Sequence, residues 1–201
     1  MSDSSLNETN GLNETKDDAV RRGFVYCLVV AGMTAITLGS MGRIWWCACG
    51  SLNLASWDIW STHNSQHLID PYTFSHVLHG VIFYWLLQLV PDRYIGHRRF
   101  LVAITIEACW ELLENSPIII DRYRAATISL DYYGDSIANS FFDIIACGLG
   151  YWFARSFRWT WSVSAIVATE IVMLITIRDS LVLNVVMLLT PIDAIREWQA
   201  G

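Results

Sequence analysis

The amino-acid sequence predicts an all-α polytopic membrane protein, a helical bundle of about five transmembrane helices plus a C-terminal interfacial or re-entrant helix. Long apolar runs recur along the 201 residues, and most approach the roughly 20 residues that cross a hydrocarbon core of about 30 Å. Hydrophobic residues make up 54% of the chain and charged residues only 16%. Soluble domains carry about 25% charged residues, and ten tryptophans are also unusual for one of this length.

The chain divides into a polar tail and one membrane domain. Residues 1–22 are rich in Ser, Asn, Asp, Glu and Thr and have almost no apolar side chains, which predicts disorder. Residues 23–201 form a single integral-membrane helical domain without an internal repeat or a linker. The first span lacks the features of a cleaved signal peptide, so we expect an uncleaved anchor. The predicted spans are residues 23–42, 74–90, 100–114, 136–154 and 159–177.

Prolines and basic residues set the ends of the spans and their orientation. Pro91 ends the second span, and Pro117 follows the third. The third span is short and would need to start within the 98–99 Arg-Arg interface or lie in a thinned bilayer. Residues 181–199 are too short to span again comfortably, and Trp198 suits an interfacial helix as a headgroup-level anchor. Lys and Arg are denser on the side that holds the N-terminus. We therefore expect a multi-pass membrane protein with its N-terminus cytoplasmic.

Ionisable side chains occur inside these spans at helical spacings. The second span carries His76 and His79, which share a helix face, beside Gly80, which lets a neighbouring helix approach closely. Such groups are costly in a bilayer unless they are paired, ligated or in contact with water, so they predict function. The predicted topology brings these stripes to the same outer ends of their helices, while Glu170 stands alone in the fifth span. The other members of the stripes are Glu107, Glu111, Glu114, Asp135, Asn139 and Asp143.

Imidazoles and carboxylates that converge from facing helices are typical of metal sites in helix bundles. The same groups also suit a proton relay, and a polar network that only holds the bundle together is a third interpretation. The candidate cofactor is a divalent metal, namely zinc, iron or manganese. The candidate metal ligands are His76, His79, Glu111, Glu114 and Asp135, and the candidate catalytic residues are Glu107, Glu111 and Asp143.

Polar residues of two predicted outer loops flank these stripes. His63 and His67 are four residues apart and are either ligands or ordinary loop residues. Cys47 and Cys49 form a C-x-C pair, for which a strained disulfide, soft-metal binding and a free thiol pair are the alternatives. Arginines beside tyrosines in the second loop suit an anionic headgroup or phosphate. The candidates for orienting the site or binding substrate are His67, Asn139, Arg122, Arg124 and Asp131.

Four segments resemble an uncharacterised bacterial inner-membrane protein family of unknown function, of the UPF/DUF type. They read TFSHVLHG at 73–80, EACWELLENSP at 107–117, IDRYR at 120–124 and DYYGDS at 131–136. Members of that family are about this size and share the terminal pattern at 191–201, so the resemblance covers nearly everything after the polar tail. The resemblance implies family membership and supplies no activity.

Three functions fit these residues. The first is a metal-dependent membrane enzyme at the outer, periplasmic face, with hydrolytic or transfer chemistry on a lipid or lipid-linked substrate. The second is a small ion- or proton-coupled transporter, which the lack of a repeat disfavours, and the third is a non-catalytic membrane subunit or assembly factor. The sequence has no Walker A loop and no G-x-S-x-G elbow, which disfavours nucleotide hydrolysis and serine-hydrolase chemistry. Membrane lipids are the expected partners, and a net charge of −6 gives no basis for nucleic-acid binding.

Overall fold

The computed structural model describes residues 3–126 and 132–200, and every regular element in those ranges is a helix. Ala55 and Ile69 form an isolated β-bridge there. The predicted fold class, all-α, is confirmed. In chain order the helices are α1 (Asp3–Ser40), α2 (Thr73–Gln88), α3 (Asp92–Ile95), α4 (Arg99–Glu114), α5 (Pro117–Ala126), α6 (Ile137–Ser156), α7 (Trp159–Ile177), α8 (Leu181–Leu189) and α9 (Asp193–Ala200), with a 3-10 turn, Gly96–Arg98, before α4.

Three of the described helices are long and apolar enough to cross a membrane, namely Arg21–Ser40 of α1, the whole of α6 and the whole of α7. Large apolar side chains on α1 and α7 are exposed, for example Ile36 at 70% and Ile175 at 76%. Because extended apolar faces are unfavourable in water, these helices indicate a membrane protein. Helices α2 and α4 have 16 residues each, and a crossing by them stays a prediction.

Helices α2 and α6 pack closely because each presents a glycine to the backbone of the other. A Cβ atom on Gly80 of α2 would collide with the carbonyl oxygen of Cys147, and one on Gly150 of α6 would collide with that of Val77. Only a residue without a side chain lets two helix backbones approach this closely. The close approach predicted at Gly80 is confirmed, and it fixes which faces of α2 and α6 meet.

Helix α4 packs against the α2–α6 pair, and α1 lies against α4. Ile104 and Ala108 of α4 form a buried cluster with Ile144 of α6. The hydroxyl groups of Tyr26 on α1 and Thr105 on α4 are 2.8 Å apart and form a hydrogen bond. These contacts bring the last turns of α4 beside the first turns of α2 and α6, where the polar stripes lie.

The first helix extends into the polar N-terminal segment. Helix α1 begins at Asp3 in the structure, and disorder of residues 1–22 stays a prediction. Adding residues to an existing helix costs less than nucleating a new one, so a polar segment can continue an apolar span as helix. The division into a tail, 1–22, and one membrane domain, 23–201, stays a prediction.

Short helices occupy two further segments. Helix α5 lies in the predicted outer loop between the third and fourth spans, and two helices stand where one interfacial or re-entrant helix is predicted. Pro191 lies between α8 and α9, where its missing N–H and fixed φ interrupt a helix. Helix α8 has nine residues, about 14 Å, and is too short to cross a bilayer.

The sequence suggests no partner for Glu170 of α7, but in the structure this acid bonds the start of α8. Its carboxylate accepts hydrogen bonds from the backbone N–H groups of Leu181 and Val182 at 3.0 and 3.3 Å. These are orphan donors of the first turn of α8, so Glu170 satisfies the N-terminal end of that helix. This acid is not among the residues that line the cavity described below.

Candidate metal centre

His76 of α2 lies where the polar ends of α2, α4 and α6 meet. Its Nδ1 atom is 2.5 Å from Glu107 Oε1 and 3.3 Å from Glu111 Oε1, both on α4. Its Nε2 atom is 3.9 Å from Asp143 Oδ2 on α6. His76 therefore has a carboxylate near each ring nitrogen, and the structure brings together the three stripes that the sequence places on separate helices.

Glu107 links the two histidines. The Nδ1 atom of His79 lies 3.1 Å from each oxygen of the Glu107 carboxylate, which also bonds His76. Donor atoms of His76, His79 and Glu107 lie within 4.8 Å of one another, and so do donor atoms of His76, Glu111 and Glu114. The two groups of potential ligands share His76. Imidazole together with carboxylate is a donor set that suits zinc, iron and manganese.

Several buried oxygens of this site have no hydrogen-bond partner among the described residues. Both carboxylate oxygens of Glu111 are in this position, as are Glu114 Oε2, Asp143 Oδ1 and Asn139 Oδ1. Glu111 and Asn139 are fully buried, and Asp143 is 3% exposed. A buried polar atom without a partner is costly, so each of these oxygens calls for a ligand such as a cation, a proton or water.

A cavity of about 40 Å³ opens among these groups. Four carboxyl groups line it, those of Glu114, Asp135, Asp143 and Asp179, together with the imidazole of His76. No Lys or Arg is among the described residues of this wall. If the acids are ionised, the wall is strongly negative, and buried charges require compensation. The space accommodates a small ion or more than one water molecule.

Asp135 is held in the cavity wall by two side chains. Asn115 donates from Nδ2 to Asp135 Oδ2 at 2.8 Å, and its Oδ1 accepts from the backbone N–H of Asp135 at 2.7 Å. The Tyr132 hydroxyl donates to Asp135 Oδ1 at 3.0 Å. Burial raises the pKa of Asp135 to about 6, against the lowering effect of these hydrogen bonds. Asp135 lines the cavity, but it belongs to neither of the two groups whose donor atoms lie within 4.8 Å of one another.

Asp70 extends the acidic network to the start of α2. Its Oδ1 accepts from the backbone N–H groups of Tyr72 and Thr73 at 2.7 and 3.0 Å. Asn139 donates from Nδ2 to Asp70 Oδ2 at 3.4 Å, which joins this acid to α6. Burial raises the pKa of Asp70. The carboxylate therefore satisfies backbone donors at the beginning of α2 and also orients a side chain of the cavity wall.

An apolar groove of about 190 Å³ reaches the same histidines. His76, His79 and Glu114 line it together with side chains from α2, α4 and α8, and none of its described lining residues is Lys or Arg. A hydrocarbon chain is the kind of group that such a wall accepts. The apolar side chains of the groove are Phe83, Ile106, Trp110, Leu181, Val185 and Leu188.

The two arginines predicted to bind substrate have other contacts. Arg122 donates from Nε and Nη2 to the carbonyl oxygens of Leu188 and Leu189 at 2.8 and 3.2 Å. These are carbonyls at the C-terminal end of α8, so Arg122 satisfies that helix end. The guanidinium of Arg124 lies 5.0 Å from the centre of the Tyr133 ring. Neither arginine is among the residues that line the cavity or the groove.

The other predicted site residues do not all lie at the cavity. Glu107, predicted as an acid or base, is the hydrogen-bond partner of both histidines. His67 lies in the loop between α1 and α2, with Nε2 3.8 Å from Cys49 Sγ. Asp131 lies outside the described residues. The remaining candidates, His76, His79, Glu111, Glu114, Asn139 and Asp143, lie at or around the cavity.

Asn115 and Tyr132 hold Asp135 in the cavity wall, and neither is among the site residues that the sequence predicts. Asn115 follows directly on Glu114 at the end of α4, where an Asn is usually taken for a helix-terminal residue. Its contact with Asp135 joins positions 20 residues apart, so only the fold brings the pair together. The sequence offers one clue to these two residues. Asn115 and Tyr132 lie within the segments 107–117 and 131–136, which also carry the acids.

Comparisons with known proteins identify relatives along most of the chain. A family model described as "Protein of unknown function (DUF2585)" matches residues 38–201. A UPF0314 protein of Rhizobium meliloti is 44% identical over 190 residues, 93% of this chain and 96% of its own. UPF0314 proteins of Rhizobium etli and Sphingopyxis alaskensis are 48% and 42% identical over 178 and 182 residues, 89% and 90% of this chain and 91% and 96% of their own. No solved structure matches.

Proposed function

The chain belongs to the DUF2585 family, as the motif resemblance predicted, and we propose that it is a metal-dependent enzyme of the bacterial cell inner membrane. The reaction class is hydrolysis or group transfer on a lipid or lipid-linked substrate. In this proposal α1, α2, α4, α6 and α7 cross the bilayer as a multi-pass bundle. The N-terminus is cytoplasmic, and the cavity around His76 opens at the periplasmic face.

The unbalanced charge around His76 is the observation that supports a metal most. Glu107, Glu111 and Asp143 approach this one imidazole, and Lys and Arg are missing from the described cavity wall. A divalent cation would compensate the acids and would also give partners to the orphan oxygens of Glu111. A purely structural network would need neither unpartnered oxygens nor such an excess of acid.

In this proposal each residue of the donor set has a role. His76, His79, Glu111 and Glu114 would hold the metal, which supplies Lewis-acid activation of a water or of a substrate oxygen. Glu107 fixes the ring orientation of both histidines, the part that outer carboxylates play for ligating imidazoles. Asp143 has one oxygen facing His76 and one without a partner, so it would accept or deliver a proton at the cavity.

The groove supports a lipid substrate. Its wall combines apolar side chains with the imidazoles of His76 and His79 and the carboxyl group of Glu114, which suits a molecule with a long hydrocarbon part and a reactive polar end. Phe83 stacks on the His79 ring with centroids 5.8 Å apart, and Trp110 packs edge-on at 6.1 Å. These rings would shield the reactive end from water while the chain of the lipid lies along the groove.

Metal analysis of the detergent-purified protein tests this proposal. We expect the wild type to bind about one equivalent of manganese, zinc or iron per chain more than His79→Ala does, as a site of imidazole and carboxylate donors requires. Glu170→Gln is the matched control, because this embedded acid lies at the start of α8 and away from the cavity wall. Equal metal content in wild type and His79→Ala would contradict the proposal.

The same preparations separate the alternatives. Absence of metal at this site together with proton-linked uptake into liposomes would identify a small transporter. Absence of both, together with a stable co-purifying protein, would identify a non-catalytic membrane subunit or assembly factor.

Reporter fusions test the orientation. Alkaline phosphatase, which is active only outside the cytoplasm, should be active when it is fused after Gly201 and inactive when it is fused in the loop that contains Arg93. The physical reason is the higher density of Lys and Arg beside the spans on the N-terminal side. The opposite pair of activities would place the cavity at the cytoplasmic face.

A further inference from the structure

The long loop between α1 and α2 has almost no regular secondary structure. Residues 41–72, all of them described, contain no helix and no strand beyond the isolated bridge between Ala55 and Ile69. Loops of this length without secondary structure are uncommon in compact domains, and small irregular units usually need a disulfide or a metal. All five cysteines of the chain are free thiols, so a disulfide does not hold this loop.

Two cysteine sulfur atoms and two histidine nitrogen atoms converge inside the loop. The Sγ atom of Cys47 lies 3.2 Å from His63 Nδ1, and the Sγ atom of Cys49 lies 3.8 Å from His67 Nε2. One donor atom from each of the four residues lies within 4.8 Å of the others. In a tetrahedral zinc site the bond lengths of about 2.0–2.3 Å place ligand atoms about 3.3–3.8 Å apart. The spacing of these donors is therefore close to that of a zinc site.

The surroundings orient these donors as a metal site requires. His67 Nδ1 bonds the backbone carbonyl oxygen of Asn53 at 2.5 Å, which places the ring proton there and leaves Nε2 with its lone pair toward Cys49. The backbone N–H of Cys49 points at Cys47 Sγ at 3.5 Å, and that of Ser51 points at Cys49 Sγ at 3.4 Å. Donors of this kind stabilise thiolates. Gly50, with φ of 70°, makes the tight turn that folds the C-x-C segment back.

We propose that Cys47, Cys49, His63 and His67 bind one structural zinc ion in tetrahedral geometry. A surface cleft of about 210 Å³, lined by Cys49, His63 and His67, gives the ion a path of entry. Zinc takes thiolate and neutral imidazole as a closed set of four ligands at structural sites. The ion would tie the start of the loop, at the end of α1, to its middle.

The zinc site would also position one wall of the cavity around His76. Ser65, between the two histidine ligands, accepts from the backbone N–H of Ser136 at 2.9 Å. Gln66 donates from Nε2 to the carbonyl oxygen of Gly134 at 2.7 Å. These bonds connect the loop to the start of α6, so a loop fastened by zinc holds the segment that carries Asp135. The zinc proposal rests on its own donors and stands whether or not the buried centre binds a metal.

Cobalt substitution of the detergent-purified full chain tests the proposal. Tetrahedral cobalt bound to thiolate gives an intense sulfur-to-metal charge-transfer absorption that carboxylate and imidazole ligands do not give. We expect this absorption at about one equivalent of cobalt per chain in wild type and its loss in Cys49→Ser and His67→Ala. Cys109→Ser is the matched control, because Cys109 is also an exposed cysteine but lies on α4. His79→Ala should keep the absorption, which separates this site from the buried centre.

The absence of the thiolate absorption from wild type, or its persistence in both cluster variants, would overturn the proposal. A second measurement on the wild-type chain avoids the risk that the variants do not fold. Modification of the cysteines with an organomercurial reagent should release about one zinc ion per chain to a colorimetric chelator, because thiolate ligands are consumed. Thiol modification without zinc release would contradict the proposal equally.

Discussion

The centre around His76 and the cluster around Cys49 bring ligand atoms together by different means. The centre around His76 stands on helices that the glycine contacts of α2 and α6 hold against each other. The Cys–His cluster stands on a loop without regular elements, and its sulfur–nitrogen contacts join residues 16 and 18 positions apart. We expect the first to be rigid before any ion binds and the second to be held in its geometry by the ion. Each region should therefore respond differently to substitution, to pH and to metal removal.

The largest expected effect is the loss of stability caused by Gly150→Ala, where α6 packs against α2. The added methyl group would collide with the backbone of Val77, which cannot move without shifting α2. We expect a loss of about 3 kcal/mol or more in the free energy of unfolding, at the upper end for overpacked sites. Thermal unfolding in detergent measures it. Gly148→Ala on the same helix is the matched control, because its methyl group would meet only side-chain atoms at 3.5 Å or more.

Equal stability of the two glycine variants would show that the close contact of α2 and α6 does not hold the buried centre. In that case the centre around His76 would not be the more rigid of the two regions.

The second effect is on pH dependence and comes from Asp179, which lies between α7 and α8 in the cavity wall. Burial raises the pKa of this carboxyl from 3.8 to about 6, so the folded state binds the proton more tightly than the unfolded state. The contribution of Asp179 to the stability of the metal-free protein should be greatest below pH 4 and fall as the pH rises through 6, by up to about 3 kcal/mol. Asp179→Asn should flatten this profile in thermal unfolding between pH 4 and 8.

The loop cluster should respond to pH in the opposite sense. Thiolates and neutral imidazoles bind zinc only when deprotonated, so acidification should release zinc from the cluster. A metal-free protein whose stability rises with pH between 4 and 7 would contradict the assignment of Asp179. Zinc that stays bound to the loop at pH 4 would contradict the proposed zinc site.

The smallest of these effects is expected for Glu107→Gln. Gln cannot accept hydrogen bonds from both His76 and His79 as a carboxylate does, so the imidazoles lose their orientation. We expect metal affinity at the buried centre to fall about 10- to 100-fold, as for other outer-shell partners of ligating histidines. Metal titration followed by calorimetry measures the change, and the cobalt–thiolate absorption of the loop should stay as in wild type. Loss of both metals would mean that the substitution unfolds the protein.

The helical centre could largely be predicted because spacing on a helix determines which side chains share a face. His76 and His79, and likewise Glu107 and Glu111, fall on common faces by the 3.6-residue period alone. The predicted start and end of each span then placed these stripes at one end of the bundle. What the sequence did not indicate is which acid bonds which histidine, because the rotation of α4 about its axis is set by packing of residues such as Ile104 and Ala108.

The loop cluster could not be predicted as one site. In the sequence Cys47 and Cys49 stand out as one pair and His63 and His67 as another. No periodic pattern relates the two pairs. Their meeting depends on the path of a loop whose turns are set by single residues, such as Gly50. The role of Arg122 escaped prediction for a similar reason, since the carbonyl groups that it bonds lie 66 and 67 positions further along the chain.

The most direct test of the buried metal centre is manganese binding by Glu111→Gln, followed by electron paramagnetic resonance. Manganese prefers carboxylate and imidazole over thiolate, so the loop cluster does not contribute to the signal. Glu111 is fully buried, and neither oxygen has a hydrogen bond among the described residues, although Oε1 lies 3.3 Å from His76 Nδ1. An amide keeps the shape of this side chain and removes its charge and its ligand strength. We predict binding at least about 10- to 100-fold weaker than in wild type, with an unchanged or higher thermal unfolding midpoint. Manganese bound equally well by both proteins, or by neither, would contradict the assignment of this centre as a metal site.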